Sequence, residues 1–207
     1  MQNSLIRLSA GMAAVLATAA ATAHPSIAPH TLESVEVRAS QSTDAQAAEQ
    51  LKQAREELGR RAGATAVVDA QSYTSGRAAT AVDALAYAPG VLAQTRHGQE
   101  ARLSIRGSGI QRGFLMRGIQ LYQDGIPLNH TDGAVDFQSV DPVATQHVEI
   151  WRGANALEYG ANGLGGAINF VSPTGLTAPA AALRVQAGSF GQRQTHANLA
   201  RHGESVD

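Results

Sequence analysis

Short apolar segments alternate with glycine-containing turns through the second half of the chain, and this pattern limits the fold more than any other feature of the sequence. The segments cover residues 103–105, 119–123, 147–151 and 166–171. The first three run into Arg-Gly or Asp-Gly turns, and the fourth closes just before Pro173. Short apolar runs bounded by turn residues are typical of β-strands. The pattern therefore predicts four short strands.

The first half of the chain favours helices instead. Asp44 can cap a helix over residues 45–58, and the glycine-containing stretch 59–63 ends it. Its apolar residues recur at spacings of three and four, as on one face of a helix. They are Ala47, Leu51, Ala54 and Leu58.

A second helix is expected after Thr80, a good capping residue, and Pro89-Gly90 stops it. Its inner face is predicted to carry Val82, Leu85 and Ala86. Between the two helices, residues 65–69 predict another short strand. Because the helices lie ahead of the four strands, we expect an α+β domain with a small mixed four-stranded sheet and flanking helices.

Residues 1–23 have the order of a secretory signal peptide. One positive charge within residues 1–7 precedes an apolar run over 8–21, and Ala21-Thr22-Ala23 offers small residues for cleavage before His24. The apolar run is too short to span a membrane as a helix. The alternative is an alanine-rich N-terminal helix of a cytosolic protein. The order of the features favours export.

Charge and cysteine content exclude several classes of protein. Removal of residues 1–23 takes away one of the 16 basic residues and none of the 17 acidic ones, which leaves a net charge of −2. A chain so close to neutral is not a general nucleic-acid binder. The absence of cysteine excludes disulfides, thiolate metal sites and a lipoprotein anchor.

Residues 174–207 are predicted to hold a linker and two alternating strands. The strands are expected over 183–190 and 192–200, with Gly191 between them. Membrane-barrel strands show such alternation, but a soluble edge hairpin gives the same pattern, so both interpretations stay open. Two strands with open edges cannot sit in a bilayer alone, and the barrel interpretation therefore makes this chain a fragment. The positions on one face of the first strand are Leu183, Val185 and Ala187.

Five sequence pieces, in order, resemble the plug of TonB-dependent outer-membrane receptors over residues 31–173. Among subfamilies, the sequence is most similar to ferric-dicitrate-type and other siderophore receptors. Ala154 departs from the family, which often has proline after Arg-Gly. The pieces are Leu-Ala-Tyr-Ala-Pro-Gly-Val (85–91), Leu-Ser-Ile-Arg-Gly (103–107), Tyr-Gln-Asp-Gly-Ile-Pro (122–127), Val-Glu-Ile-Trp-Arg-Gly (148–153) and Tyr-Gly-Ala-Asn-Gly-Leu-Gly-Gly-Ala-Ile-Asn-Phe (159–170).

The resemblance implies a division into signal peptide (1–23), periplasmic tether (24–43), plug domain (44–173) and the linker with the first strands of an incomplete transmembrane β-barrel (174–207). It implies a non-enzymatic receptor without a cofactor, which gates uptake of a ferric siderophore or similar iron chelate across the outer membrane. The implied partner is the inner-membrane TonB complex. The alternative is a stand-alone soluble periplasmic module with the plug fold. Continuation of the gene into a barrel would distinguish the receptor from this module.

The tether contains a strand-prone segment that resembles the TonB box, the coupling segment of the family. Such a segment pairs its backbone with the edge of a periplasmic partner's sheet. The alternative is a strand-prone stretch of linker without a partner. The predicted coupling residues are Thr31, Leu32, Glu33, Ser34, Val35, Glu36 and Val37.

Arg106 and Arg152 each stand at the end of an apolar strand, where a charge is costly unless it is paired. In the family, such arginines meet carboxylates on the inner barrel wall. The alternative is that both are simply solvated at strand ends.

Loops between the strands provide the predicted ligand face. Arginine and histidine suit an anionic ferric chelate, because the charged donors strengthen hydrogen bonds to its oxygen atoms. A direct metal site formed by His130, Asp132 and Asp136 is the less favoured interpretation, since no recognised ligand spacing supports it. A hydrolase using Ser104 or Ser108 lacks the nucleophile-elbow spacing. The predicted ligand residues are Arg96, His97, Gln99, Gln111, Arg112, His130 and Asp132.

Overall fold

A computed structural model describes residues 35–38, 41–61, 63–76, 78–97, 100–109, 116–160 and 162–201. Its helices are α1 (Gln41–Arg60), α2 (Ala70–Thr74) and α3 (Ala81–Leu85). Its strands are β1 (Val35–Arg38), β2 (Ala64–Asp69), β3 (Val91–Thr95), β4 (Ala101–Ile105), β5 (Ile119–Gln123), β6 (Ile126–Pro127), β7 (His147–Arg152), β8 (Gly166–Val171), β9 (Ala181–Ala187) and β10 (Arg193–Leu199).

Helix α1 packs along β2 through the face that its spacing predicts. Leu58 is buried, and Ala47, Leu51 and Ala54 are half-buried. The expected start was wrong, because the helix begins at Gln41 and Asp44 lies inside the first turn. A carboxylate there is favourable because the N-terminus of a helix carries partial positive charge.

Helix α3 begins after Thr80, as predicted. The Asp83 carboxylate accepts hydrogen bonds from the backbone N–H groups of Ala79 (2.9 Å) and Thr80 (2.8 Å), which closes the first turn. The expected inner face needs one correction, since Ala86 is exposed and Val82 is half-buried. The buried positions are Ala81, Ala84, Leu85 and Ala88.

The main sheet has five strands in the order β2-β7-β8-β5-β6, and not the predicted four. It is mixed, as expected, because β5 and β8 are parallel while the other neighbours are antiparallel. The additional short strand β6 follows the Asp124-Gly125 turn, whose two residues have φ angles of 52° and 79°. Positive φ at both positions is typical of a tight hairpin turn.

The strand predicted at 103–105 does not join the main sheet. It forms β4, which pairs with β3 in a separate two-stranded sheet. Strand β3 follows directly after Pro89-Gly90, which ends the preceding helix. Because it ends in the polar residues Gln94 and Thr95, the sequence did not predict it as a strand.

Apolar residues cover both faces of the main sheet. One face joins α2, α3 and the β3–β4 sheet around the larger core, in which Tyr73, Leu85 and Phe170 are among the most deeply buried side chains. The other face carries a smaller cluster centred on Trp151. Strand β8 is buried along nearly its whole length because it lies between these two cores.

Raising the pH above about 10 is expected to destabilise the plug through Tyr73. This side chain is fully buried, and its hydroxyl donates to the carbonyl oxygen of Pro142 (3.2 Å). Burial, and then the charges of Asp69 and Asp141, raise the pKa of the phenol. Only the unfolded chain then ionises easily at this residue, so the contribution of Tyr73 to the free energy of unfolding should be constant below about pH 10 and fall by about 1.4 kcal/mol per pH unit above it.

Urea unfolding at pH 8 and pH 11 measures this effect. Tyr73→Phe should cost about 1 kcal/mol at pH 8 through the lost hydrogen bond and should lose less stability than the parent between the two values. Burial also raises the pKa of Tyr122 and Tyr159, so part of the alkaline loss should persist in the variant. An identical alkaline loss in parent and variant would contradict the assignment to Tyr73.

Strands β9 and β10 form an antiparallel hairpin, as predicted, and β1 pairs with the other edge of β9. The strands are shorter than expected, because residues 189–191 form a 3-10 turn. Leu183 and Val185 are each 49% exposed, whereas Arg184 between them is 6% exposed. Across the described ranges, no helix has the length and apolar character needed to cross a membrane.

Candidate functional site

Two arginines from different sheets come together beside Gly90. Arg106 follows β4 with φ 51°, and its backbone N–H donates to the carbonyl oxygen of Gly90 (3.2 Å). Arg152 ends β7, and a Cβ atom on Gly90 would stand 3.6 Å from its Nε. The Arg152 guanidinium also donates from Nη1 to the carbonyl oxygen of Thr65 (3.4 Å). The structure thus brings both predicted plug–barrel arginines to one place.

The electrostatics of this pair are unfavourable within the described residues. Arg152 is half-buried, and burial followed by the positive charge of Arg106 lowers its pKa. Its Nε is buried and has no hydrogen-bond partner in the part of the chain described. No described carboxylate lies within ion-pair distance of either guanidinium. Arg106 is exposed and Arg152 is half-buried, so the cost of an unpaired charge falls mainly on Arg152. A negatively charged group brought to the site from elsewhere would lower that cost.

Arg96 and His97 lie in the turn that joins β3 to β4. The turn is closed by hydrogen bonds from Arg96 N to Glu100 O (2.9 Å) and from Glu100 N to His97 O (3.1 Å). These residues line an open pocket together with Gln94 and Arg102. Sequence reasoning missed Arg102, whose Nε is buried without a hydrogen-bond partner among the described residues. Arg102 is the second residue of β4, and this position gave no indication of a binding role in the sequence.

His130 and Asp132 lie in a second turn. The backbone N–H of His130 donates to Ala134 O (2.8 Å), and the Asp132 carboxylate accepts from Ala134 N (2.9 Å). Asn129 anchors this turn to β5 through both ends of its amide, accepting from Leu121 N (2.7 Å) and donating to Ile119 O (3.1 Å). Asn129 is a positioning residue that sequence reasoning missed.

The acidic residues of this region stabilise turns. Asp136 accepts from Gln138 N (2.9 Å), and Asp141 accepts from Val143 N (2.9 Å). Within the described ranges, no group of three histidine and acidic side chains could hold a metal ion. The arrangement therefore gives no support to the less favoured metal site.

Several predicted residues lie outside the described part of the chain. Among the coupling residues, Val35, Glu36 and Val37 belong to β1, while Thr31, Leu32, Glu33 and Ser34 fall outside. The ligand candidates Gln99, Gln111 and Arg112 also fall outside. The two serines of the hydrolase alternative are described: Ser104 is buried within β4 and Ser108 lies in the turn that follows it.

Arg184 is the most unexpected charged residue in the structure. It is 6% exposed, and its Nε and Nη2 have no hydrogen-bond partner among the described residues. It lines a cavity of about 200 Å³ together with Asp44, Leu51 and Asp69. The alternation along β9 puts it on the face opposite Leu183, Val185 and Ala187. That face turns toward the cavity, and Arg184 is buried there.

Relatives with known names are receptors and a transporter. A hemin receptor of Yersinia pestis is 32% identical over 111 residues, which are 50% of this chain and 15% of that receptor. The vitamin B12 transporter BtuB of Vibrio vulnificus is 23% identical over 137 residues, covering 66% of this chain and 22% of the transporter. The match thus spans about a seventh to a fifth of the length of these relatives. They are not enzymes, and the hydrolase alternative is set aside.

Solved structures share the fold. The pyoverdine-bound FpvA of Pseudomonas aeruginosa superposes with a TM-score of 0.50 at 20% identity, over 66% of this chain and 17% of the other. The FpvAI–pyocin S2 complex gives a TM-score of 0.51 at 18% identity, over 70% and 18% of the two chains. The model of the TonB-dependent receptor plug domain matches residues 58–167, more than half of the chain. The chain belongs to the TonB-dependent receptor plug domain family.

Proposed function

We propose that this chain is the N-terminal part of an outer-membrane receptor that binds an iron chelate and gates its energy-coupled uptake. The observation that carries the proposal is the direct continuation of a plug-family domain into the β9–β10 hairpin, which has an apolar outer face. The relatives are several times longer than this chain, which is consistent with a barrel that continues from this hairpin.

The two faces of the hairpin differ in the way that a barrel wall requires. Directly paired residues of an antiparallel sheet lie on the same face. The exposed face is mostly apolar, as for strands that contact lipid, and the inner face is polar. The exposed face carries Ala181, Leu183, Val185, Ala187, Arg193, Thr195, Ala197 and Leu199, and the inner face carries Ala182, Arg184, Gln186, Gln194, His196 and Asn198.

In the proposed receptor, the wall of the surrounding barrel supplies the negative charge that balances the Arg106–Arg152 pair. The Arg152 guanidinium lies beside Gly90, which the Arg106 backbone also contacts, and neither guanidinium has a carboxylate partner in the described ranges. Acidic side chains on the inner barrel wall would neutralise them and hold the plug in place. If the two arginines were simply solvated in a soluble module, the partial burial of Arg152 would have no explanation.

The proposed substrate is an anionic metal chelate. Arg96 and His97 lie in one turn of the plug and His130 in another. The sequence predicts Arg112, which lies outside the described residues, as a further ligand residue. The iron arrives already surrounded by oxygen or nitrogen ligands, so the protein recognises the chelate and needs no metal site of its own. Hemin, which carries two propionates, and ferric siderophores share this chemistry.

Binding to the full-length receptor on iron-starved cells tests the proposal. Hemin, a ferric siderophore and cobalamin are the three probes. An anionic iron chelate should bind, and Arg96→Ala should weaken its binding about tenfold, because one charge-assisted hydrogen bond contributes about 1.5 kcal/mol or more. Lys52→Ala, at an exposed position of α1, is the matched control and should leave affinity unchanged.

Two outcomes would contradict the proposal. Binding of cobalamin alone would replace the iron chelate with another substrate class. Absence of binding and uptake for all three probes, from a receptor that reaches the cell surface, would reject the transport function.

A further inference from the structure

Strand β1 occupies one specific edge of the C-terminal hairpin. It pairs antiparallel with β9 so that Val35, Glu36 and Val37 stand opposite Val185, Arg184 and Leu183, respectively. The other edge of β9 is taken by β10. Strand β9 is therefore fully paired, although the described chain contains only two strands of a prospective barrel.

The edge that β1 occupies is the one that barrel closure requires. In a closed barrel each strand has a neighbour on both sides, so the last strand must return to the free edge of the first. That edge of β9 now carries the residues paired with β1, from Ala182 to Val185. Pairing with β1 and barrel closure therefore exclude one another.

The register has a reason in the sequence. It sets the two valine positions of β1 opposite Val185 and Leu183, and the acidic position opposite Arg184. A slip of one residue would move every β1 residue to the other face of the sheet and set its acidic position against an apolar one.

Helix α1 follows β1 in the chain and lines a cavity beside this edge. Asp44, Ala47 and Leu51, in the first half of α1, line the same cavity as Ala182 and Arg184 of β9. Only residues 39 and 40 separate β1 from α1. The first half of α1 and β9 thus face a common cavity, and the segment that precedes α1 lies beside the free edge.

We propose that β1 is a removable edge strand, which covers β9 until the closing strand of the barrel displaces it. An uncovered strand edge invites pairing with other chains, and a four-residue cover protects it. A transmembrane strand of about 9–11 residues offers more backbone hydrogen bonds than β1 does, so it displaces β1 from the edge of β9. Closure then releases β1 together with the rest of the coupling segment. This inference rests on the proposed function, because it needs both a barrel and a coupling role for residues 31–37.

Cysteine cross-linking in the 207-residue chain tests the pairing, since the natural sequence contains no cysteine. Val37→Cys with Leu183→Cys puts two thiols at directly paired positions, within the Cα separation that a disulfide spans. Glu36→Cys with Leu183→Cys is the matched control, one residue out of register. We expect mild oxidation to join the first pair at least tenfold faster, as measured by intact mass without reductant.

The same two cysteine pairs in the full-length receptor test the displacement. Closure of the barrel, assessed by heat-modifiable migration, should reduce cross-linking of the first pair at least tenfold. Equal cross-linking of both pairs in the short chain, or none in either, overturns the proposal, as does cross-linking that persists after closure. Failure of the proposed function would instead appear as loss of chelate binding and uptake, which the cross-link does not report.

Discussion

Val35→Pro in the full-length receptor is expected to reduce energy-coupled uptake to the level of cells without TonB, while binding of the chelate at the cell surface persists. Proline removes one backbone N–H and fixes φ near −65°. A short segment that binds by adding a strand to a partner's sheet depends on those backbone groups. The position lies in β1, the described part of the proposed coupling segment. Initial uptake rates of a labelled chelate, measured beside total surface binding, separate the two steps.

Val35→Ile is the matched control, because isoleucine keeps the N–H and the β-branched shape that favours strands. It should transport like the parent. The proline substitution should also slow cross-linking of the Val37→Cys and Leu183→Cys pair in the short chain, since β1 pairs with β9 through the same backbone. Normal uptake by Val35→Pro would show that the coupling segment lies elsewhere or is absent.

Local signals in the sequence predicted the elements well where one residue determines a boundary. Thr80 and Asp83 close the first turn of α3, and Asp124-Gly125 makes the turn between β5 and β6. These interactions join residues that are near one another in the chain, so their geometry follows from residue type. The strands β5, β7 and β8 also lie where their apolar runs place them.

Pairing between distant strands could not be predicted in the same way. The apolar run of β4 is equally compatible with the main sheet and with the separate sheet that it forms with β3. Its pairing depends on which neighbours the two cores leave free. The parallel pairing of β5 with β8 is likewise a property of the assembled core, since nothing within either strand specifies its partner.

The candidate site shows the same limit. The sequence identifies Arg106 and Arg152 separately, but only the fold shows that both lie beside Gly90. It identifies the alternation along β9, but only the fold shows that Arg184 is buried beside a cavity that α1 also lines. Burial of a charge depends on the neighbouring elements, whereas alternation along a strand gives the face alone.

Gly166→Ala is expected to destabilise the plug by about 2–6 kcal/mol. Gly166 begins β8 with φ +145°, a conformation that side-chain-bearing residues rarely adopt, and a residue forced into it costs about 1–3 kcal/mol. An added Cβ would stand 2.3 Å from the carbonyl oxygen of Trp151 and 2.8 Å from Cδ1 of Ile105. The first contact is with the backbone of β7, which cannot move without breaking the pairing of Arg152 with Gly166. Overpacking of this kind costs about another 1–3 kcal/mol.

Such a loss is a large part of the 5–15 kcal/mol that is typical of a folded domain. Gly59→Ala is the matched control, because Gly59 is an exposed residue of α1 with no atom near the added methyl group. Alanine should stabilise that helix by about 0.5–1 kcal/mol. Urea unfolding of the parent and both variants at pH 8 gives the three free energies of unfolding. Equal stability of Gly166→Ala and the parent would mean that β8 does not approach Trp151 as closely as the structure has it. Loss of stability in Gly166→Ala alone would identify this close contact between β7 and β8 as a condition for folding of the plug.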